Sequence, residues 1–408
     1  MVRLAAPRPR LEVADILRAH GNAYHRRAPV SPRQAAVMRH LVQCRTAALG
    51  GHVDACDQCG HVAISFNSCR DRHCPKCQET QRAQWIDKRL ERVLPVEHFH
   101  VVFTLPDELN PLMLRNKRAT YALLFKAAAE SLTQLAADPK RLGAQIGFTA
   151  ILHTWGQNLL FHPHLHCVVT GGGLAPDGER WISARPGYLL PVRALSRLFR
   201  GKFLAGLQQL HDAGKLDFGG STDELGERQA FARLRRRLYE KEWVVYAKQP
   251  FGGVEQVFRY LGRYTHRVAI SNSRLVSMDD SRVRFRYKDY ATDAHRVMTL
   301  SAEEFIRRFL LHVLPKRFVR IRHFGILAGR NVLTKLERAR HLVSPVRGAS
   351  DTDHKNVTDR CASTSDEGPG RCPHCQHILT RWSLITHFDS RMQRRPLVTA
   401  AVPYLDSS

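Results

Sequence analysis

The sequence predicts an α+β fold, an antiparallel or mixed sheet with flanking helices, preceded by a small cysteine-rich module. Three observations predict it. Period-two apolar runs and helix-period runs succeed one another without a regular βαβ repeat, which disfavours a doubly wound sheet. Six of the ten cysteines lie between Cys44 and Cys77. With 408 residues, 43% of them hydrophobic, the chain can build two or three domains with a real core, at roughly 100 to 200 residues each.

In chain order, residues 11–50 read as helical, and 81–94 places Trp85, Ile86, Leu90, Val93 and Leu94 at helical spacing, joining the cysteine module to the central part of the chain. Residues 99–105 are a β-rich run stopped by Pro106, and 121–136 is a helix. Strands are predicted over 146–155 and 164–170, the latter closed by Gly171-Gly-Gly173. Helices come next over 192–210 and 223–240, then strands over 243–247 and 282–287 with a helix over 254–264 between them. Between Pro345 and Arg371 the only large apolar residues are Val346 and Val357, which predicts a flexible linker. The expected domains are therefore a helical and cysteine-rich one over 1–95, a central one over 96–340, the linker over 341–371, and a tail over 372–408 carrying Cys372-Pro-His-Cys375.

The chain has 63 Lys and Arg against 37 Asp and Glu, a formal net charge of +26, which points to a polyanionic partner, most commonly nucleic acid. No run approaches the roughly 18 apolar residues of a membrane span, and the N-terminus lacks the apolar core of a signal peptide. A cytoplasmic protein is expected. Without an export signal the cysteines read as metal ligands or buried thiols, not disulfides. Cys56-Asp-Gln-Cys59 and Cys74-Pro-Lys-Cys77, fourteen residues apart, can supply the four thiolates of a closed, structural zinc site. Cys69 and His73 read as alternative ligands or part of a second site, and Cys372 and Cys375, with Cys361, His374, His377 and His387 around them, as a half-motif that is either a separate zinc knuckle completed by Cys361 or a histidine, or a solvated remnant. No phosphate-binding loop is present: Gly171-Gly-Gly173 lacks the Gly-Lys-Ser/Thr ending.

Two features suggest chemistry. In Phe161-His-Pro-His-Leu-His-Cys-Val-Val-Thr170, His164 and His166 are two apart on a predicted strand and project from one face, while Leu165, Cys167 and Val169 face the core. Two imidazoles can then meet one ion. His98-Phe-His100 has the same spacing and is a rival. In 258–267, Tyr260 and Tyr264 are four apart, so on a helix both phenols point the same way. Two packed aromatics would have the same spacing, but Arg259, Arg263, His266 and Arg267 around them suit phosphate better than a core. Arg282, Arg284, Arg286 and Lys288 alternate with Val283, Phe285 and Tyr287, and 316–323 adds four cations, as expected of a DNA-tracking surface.

These motifs, in order, resemble the HUH endonucleases, specifically the two-tyrosine, Rep-like transposases of rolling-circle insertion sequences with an N-terminal transposase zinc-binding domain. The resemblance covers roughly residues 20–335. It is carried by 68–78, His100-Val-Val-Phe-Thr-Leu-Pro106, His153-Thr-Trp-Gly-Gln157, the histidine strand and Tyr264-Thr-His-Arg-Val-Ala-Ile-Ser-Asn272. It implies Mg²⁺ or Mn²⁺ held by His164 and His166, with Gln157 as third ligand ahead of His153 and His100. It implies tyrosine attack by Tyr260 or Tyr264 on single-stranded DNA at transposon ends and target, leaving a 5′-phosphotyrosine and a free 3′-hydroxyl. Structural Zn²⁺ on Cys56, Cys59, Cys74 and Cys77, DNA contacts from Arg259, Arg263, Arg267, Arg284 and Arg286, and a nucleoid-associated location complete the expectation. Two alternatives are a non-catalytic zinc-containing DNA-binding regulator, and a replication initiator or relaxase of the same chemistry.

Overall fold

A computed structural model describes residues 11–77, 93–248, 269–289, 292–343 and 371–385. The predicted helix over 254–264, most of that over 81–94 and most of the predicted linker lie outside these residues. The chain clusters into two compact units, a larger one of Met1–Met38 and Arg72–Asp351 and a smaller one of Arg39–Asp71 and Thr352–Ser408. No described helix is long and apolar enough to cross a membrane.

Helices α1 (Val13–Arg27) and α2 (Pro32–Gln43) open the chain, followed by strands β1 (Gly51–Ala55) and β2 (Val62–Phe66). Next come β3 (His98–Thr104), α3 (Asn110–Arg115), α4 (Lys117–Ala137), β4 (Gln145–Trp155), β5 (Phe161–Leu174) and β6 (Trp181–Ser183). Helices α5 (Val192–Asp212) and α6 (Arg228–Glu240) precede β7 (Val245–Lys248), β8 (Leu275–Asp279), β9 (Arg282–Asp289) and β10 (Ala294–Ser301). The chain continues through α7 (Ala302–Leu311), β11 (Ile321–Gly325) and α8 (Glu337–Val343) to β12 (Thr380–Ile385).

The larger unit is built on a six-stranded sheet in the order β11-β4-β5-β3-β7, with β6 beside β5. Every pairing in it is antiparallel. Strand alternation sorts the residues: Phe99, Val101 and Phe103 from β3, Phe148, Ala150 and Leu152 from β4, and Leu165, Cys167 and Val169 from β5 share one face and one core. Helices α4, α5 and α6 cover that face with Tyr121, Leu124, Phe125, Phe199, Phe203, Phe231 and Leu234. The predicted α+β architecture is the one observed, in its antiparallel form. A three-stranded meander, β10-β9-β8, packs Phe285 edge-on against Phe305 of α7, whose N-terminus is capped by Ser301 accepting from the Glu304 N–H at 3.1 Å.

Two expectations are corrected. The glycines at 171–173 do not close β5, which runs on to Leu174. Neighbouring backbones crowd this stretch from both sides: a Cβ on Gly171 would lie 2.8 Å from the Glu97 carbonyl oxygen, and one on Gly173 2.4 Å from that of Gln145. The glycines are what let three strands meet there. The helix predicted over 223–240 is divided, with a 3-10 turn at Gly220–Gly226 and α6 starting only after Glu227, whose backbone is extended.

Candidate functional site

The site forms on the sheet face opposite the core. His164 and His166 sit two apart on β5, and the register sets His153 of β4 directly opposite His164. His100 of β3 completes the patch. Its Nε2 lies 2.7 Å from His166 Nδ1, and the two rings stack. The nitrogens of His153, His164 and His166 fall within 4.8 Å of one another. The rival pair divides: His100 joins the patch, whereas His98 donates its Nδ1 proton to the Val96 carbonyl at 2.8 Å.

Proton bookkeeping defines what the patch can bind. A carbonyl can only accept, so the 2.7 Å bond from His164 Nδ1 to the His162 carbonyl fixes the proton on Nδ1 and leaves a lone pair on Nε2. That lone pair faces His166 Nε2 at 3.0 Å. Without an ion, a proton on His166 Nε2 can bridge the gap. With that proton on Nδ1, shared with His100, two lone pairs converge on one point. Two ligands about 2.1 Å from a divalent ion and at right angles to each other stand about 3.0 Å apart. The spacing therefore fits a shared ion.

Burial keeps these rings neutral, as ligands must be. It lowers His164 and His100 to about 4 and holds His153 and His166 well below the usual histidine value, with the charges of neighbouring histidines and, at His153, of Arg320 adding to the effect.

Gln157 lies in the turn between β4 and β5. That turn is held from several sides: Arg274 donates to the Gln157 carbonyl, Arg308 to the Asn158 carbonyl at 3.0 Å, and His312 Nε2 to the Leu159 carbonyl at 3.1 Å. Thr154 Oγ1 lies 3.2 Å from His312 Nδ1, so one buried imidazole ties the end of β4 to the turn that leads into β5. Burial lowers His312 to about 3 and His98 to about 4. The folded state therefore binds fewer protons than the unfolded one below the free-histidine pKa of roughly 6.5. Stability from these two groups is complete above that pH and is lost as pH falls towards 4 and then 3. By pH 5 each should have cost about 2 kcal/mol. Melting temperatures measured between pH 7.5 and 5 should fall, and less steeply for His312→Gln; parallel curves would contradict a neutral buried His312.

On β9, Arg282, Arg284 and Arg286 are exposed while Val283 and Phe285 are buried, so the predicted cationic row stands on one face. In the second basic segment, Arg322 lies over the Phe125 ring at 4.2 Å, a packing role as well as a charge. Tyr260, Tyr264, Arg259, Arg263 and Arg267 lie outside the described residues.

The predicted cysteine quartet is corrected. Cys56 and Cys59 meet Cys372 and Cys375, all four sulfurs within 4.8 Å, because β12 pairs with β1. The unit boundary falls between Asp71 and Arg72, placing Cys74 and Cys77 in the larger unit, where both are buried. Within the smaller unit the Cys69 N–H donates to Cys44 Sγ at 3.5 Å. Sequence reasoning thus missed the partners of Cys56 and Cys59, and the register that sets His153 opposite His164. Spacing alone gave no signal for the first, since Cys74-Pro-Lys-Cys77 and Cys372-Pro-His-Cys375 offer Cys56 and Cys59 the same Cys-x2-Cys turn.

Comparison with known families gives the class, a transposase. The family model described as "Putative transposase" matches residues 147–334, and that of a "Transposase zinc-binding domain" matches residues 16–105, which does not reach Cys372. A "Putative transposase y4qJ" of Sinorhizobium fredii (strain NBRC 101917 / NGR234) is 55% identical over 89% of this chain and 92% of its own. The "Transposase for insertion sequence element IS801" of Pseudomonas savastanoi pv. phaseolicola is 32% identical over 75% of this chain and 73% of its own. A solved conjugative relaxase, TrwC in complex with OriT DNA, is similar over 41% of this chain and 71% of that one, with 15% identity and a TM-score of 0.24. The chain belongs to the insertion-sequence transposases of the two-tyrosine, rolling-circle HUH family, the type represented by the IS801 enzyme.

Proposed function

We propose that this transposase binds, cleaves and rejoins single-stranded DNA at the ends of its mobile element, through a tyrosine nucleophile and a divalent ion, with catalysis assigned to residues 96–340. The observation that carries the reading is the convergence of His164 Nε2 and His166 Nε2 at 3.0 Å on the sheet face away from the core, with His153 opposite. A regulator that only binds DNA has no use for that geometry. His164, His166 and His153 are the candidate ligands, with Gln157 in the adjoining turn as an alternative third. Mg²⁺ or Mn²⁺ bound there would polarise a non-bridging phosphate oxygen and offset charge developing in the transition state.

Tyr260 or Tyr264 attacks phosphorus: the phenolic O–P bond forms, the P–O3′ bond breaks, and the 3′-oxygen leaves with a proton, so the phosphodiester energy is kept for rejoining. Arg259, Arg263 and Arg267 beside the tyrosines, and Arg284 and Arg286 on β9, neutralise the DNA backbone. We place the activity in the cytoplasm, at the nucleoid. The test is to incubate the protein with a single-stranded oligonucleotide from the element end and Mn²⁺, then look for a denaturation-resistant protein–DNA adduct. Absence of adduct with every strand from both ends would overturn the mechanism.

The arginine row makes its own prediction. Arg284→Ala with Arg286→Ala should weaken binding of unrelated single strands alike. The slope of log affinity against log salt should become shallower by about 1.4, at about 0.7 per phosphate contact. An unchanged slope would remove β9 from the DNA path.

A further inference from the structure

We propose that Cys56, Cys59, Cys372 and Cys375 hold a single structural zinc ion, so that the N-terminal zinc-binding module is completed by the chain's C-terminal segment. Each Cys-x2-Cys turn has the same backbone form. The Cys56 N–H donates to the His61 carbonyl at 2.9 Å and the Gly60 N–H to the Cys56 carbonyl at 2.9 Å; the Cys372 N–H donates to the His377 carbonyl at 2.7 Å and the Gln376 N–H to the Cys372 carbonyl at 2.9 Å. The residue after the second cysteine is left-handed in both, Gly60 at φ +68° and Gln376 at φ +63°. Two copies of one turn therefore face each other, each presenting two sulfurs. Gln376 adopts that conformation without glycine's freedom, and its position matches that of Gly60.

The sulfur geometry favours an ion over other pairings. Cys56 Sγ lies 3.4 Å from Cys375 Sγ, and Cys59 Sγ 3.5 Å from Cys372 Sγ. A disulfide needs about 2.05 Å, whereas thiolates at about 2.3 Å from a tetrahedral zinc stand about 3.8 Å apart. All four cysteines are free.

Strand pairing fixes the register. β12 runs antiparallel to β1, with Ala55 opposite Thr380 and Gly51 opposite Ile385, while β2 lies on the other side of β1. Thr380 Oγ1 sits 3.0 and 3.1 Å from the Asp57 carboxylate oxygens, tying the first turn to the strand that leaves the second. Among the described residues, a core cluster here gathers Cys56, Cys372 and Leu379, with Ala63 and Cys375 packed against them. Three of these five are would-be ligands. Thiolates thus sit at the centre of this cluster, where a bound metal would add to the folding free energy.

The full-length protein, purified with zinc, is compared with Cys372→Ser/Cys375→Ser by metal content and by mass spectrometry of native iodoacetamide labelling. The wild type should protect Cys56 and Cys59. The variant should lose one zinc equivalent per chain, and Cys56 and Cys59 should label at least tenfold faster while Cys74 and Cys77 stay as protected as before. Unchanged zinc and continued protection of Cys56 and Cys59 would overturn the site. Should the variant fail to fold, Co²⁺ loaded into Cys375→His decides instead: a spectrum shifted from four thiolates to three supports the site, and an unshifted one refutes it. None of these readouts depends on DNA cleavage, so failure of the tyrosine mechanism leaves this test intact.

Discussion

The Tyr260→Phe/Tyr264→Phe double variant is expected to form no covalent adduct with single-stranded DNA and to lose cleavage by at least about a thousandfold, with DNA affinity unchanged. Phenylalanine keeps the ring and removes only the oxygen that forms the bond to phosphorus. The two single variants report the order of events. If the phenols share the work, one variant retains adduct formation but fails in strand rejoining, and the other fails at the first cut. Covalent adduct in the double variant would show that the nucleophile is another residue, and would leave the histidine site without its proposed partner.

Removing both converging imidazoles, by His164→Ala with His166→Ala, should lower cleavage by a similar factor while preserving the fold. The side chains that anchor β5 to the core, Leu165, Cys167 and Val169, are on the opposite face and are untouched. Each single variant should lose about 10- to 100-fold in apparent metal affinity, a loss that raised Mn²⁺ partly recovers. His153→Ala compared with Gln157→Ala then identifies the third ligand: the one whose loss shifts the Mn²⁺ titration is bound to the ion. If the double histidine variant cleaves at wild-type rate, the ion is held elsewhere.

Where a side chain's role depended on local alternation, it was readable in the sequence. The placing of His164 and His166 away from the core and of Leu165 and Cys167 within it comes from a period of two, and the same rule separates Arg284 and Arg286 from Val283 and Phe285. Glycines read by local convention misled: a run at 171–173 ordinarily ends a strand, but here it continues one, because the crowding comes from Glu97 and Gln145, which are remote in sequence. The position of His153 was likewise not legible locally, since only the register of β4 against β5 reveals that it stands opposite His164.

By itself, then, the sequence determined the class of fold, the family, the histidine pair that faces away from the core, the paired tyrosines as candidate nucleophiles, and the presence of thiolate pairs spaced for zinc. These are properties of residue type and short spacing. Tertiary structure alone brings Cys56 and Cys59 to Cys372 and Cys375, and His153 to the histidine pair. Cys59 and Cys372 are 313 residues apart, and three equivalent Cys-x2-Cys pairs carry no local mark of which two meet. Their pairing is chosen by the strand that closes against β1, and strand partners are selected by long-range packing that no short window of sequence contains.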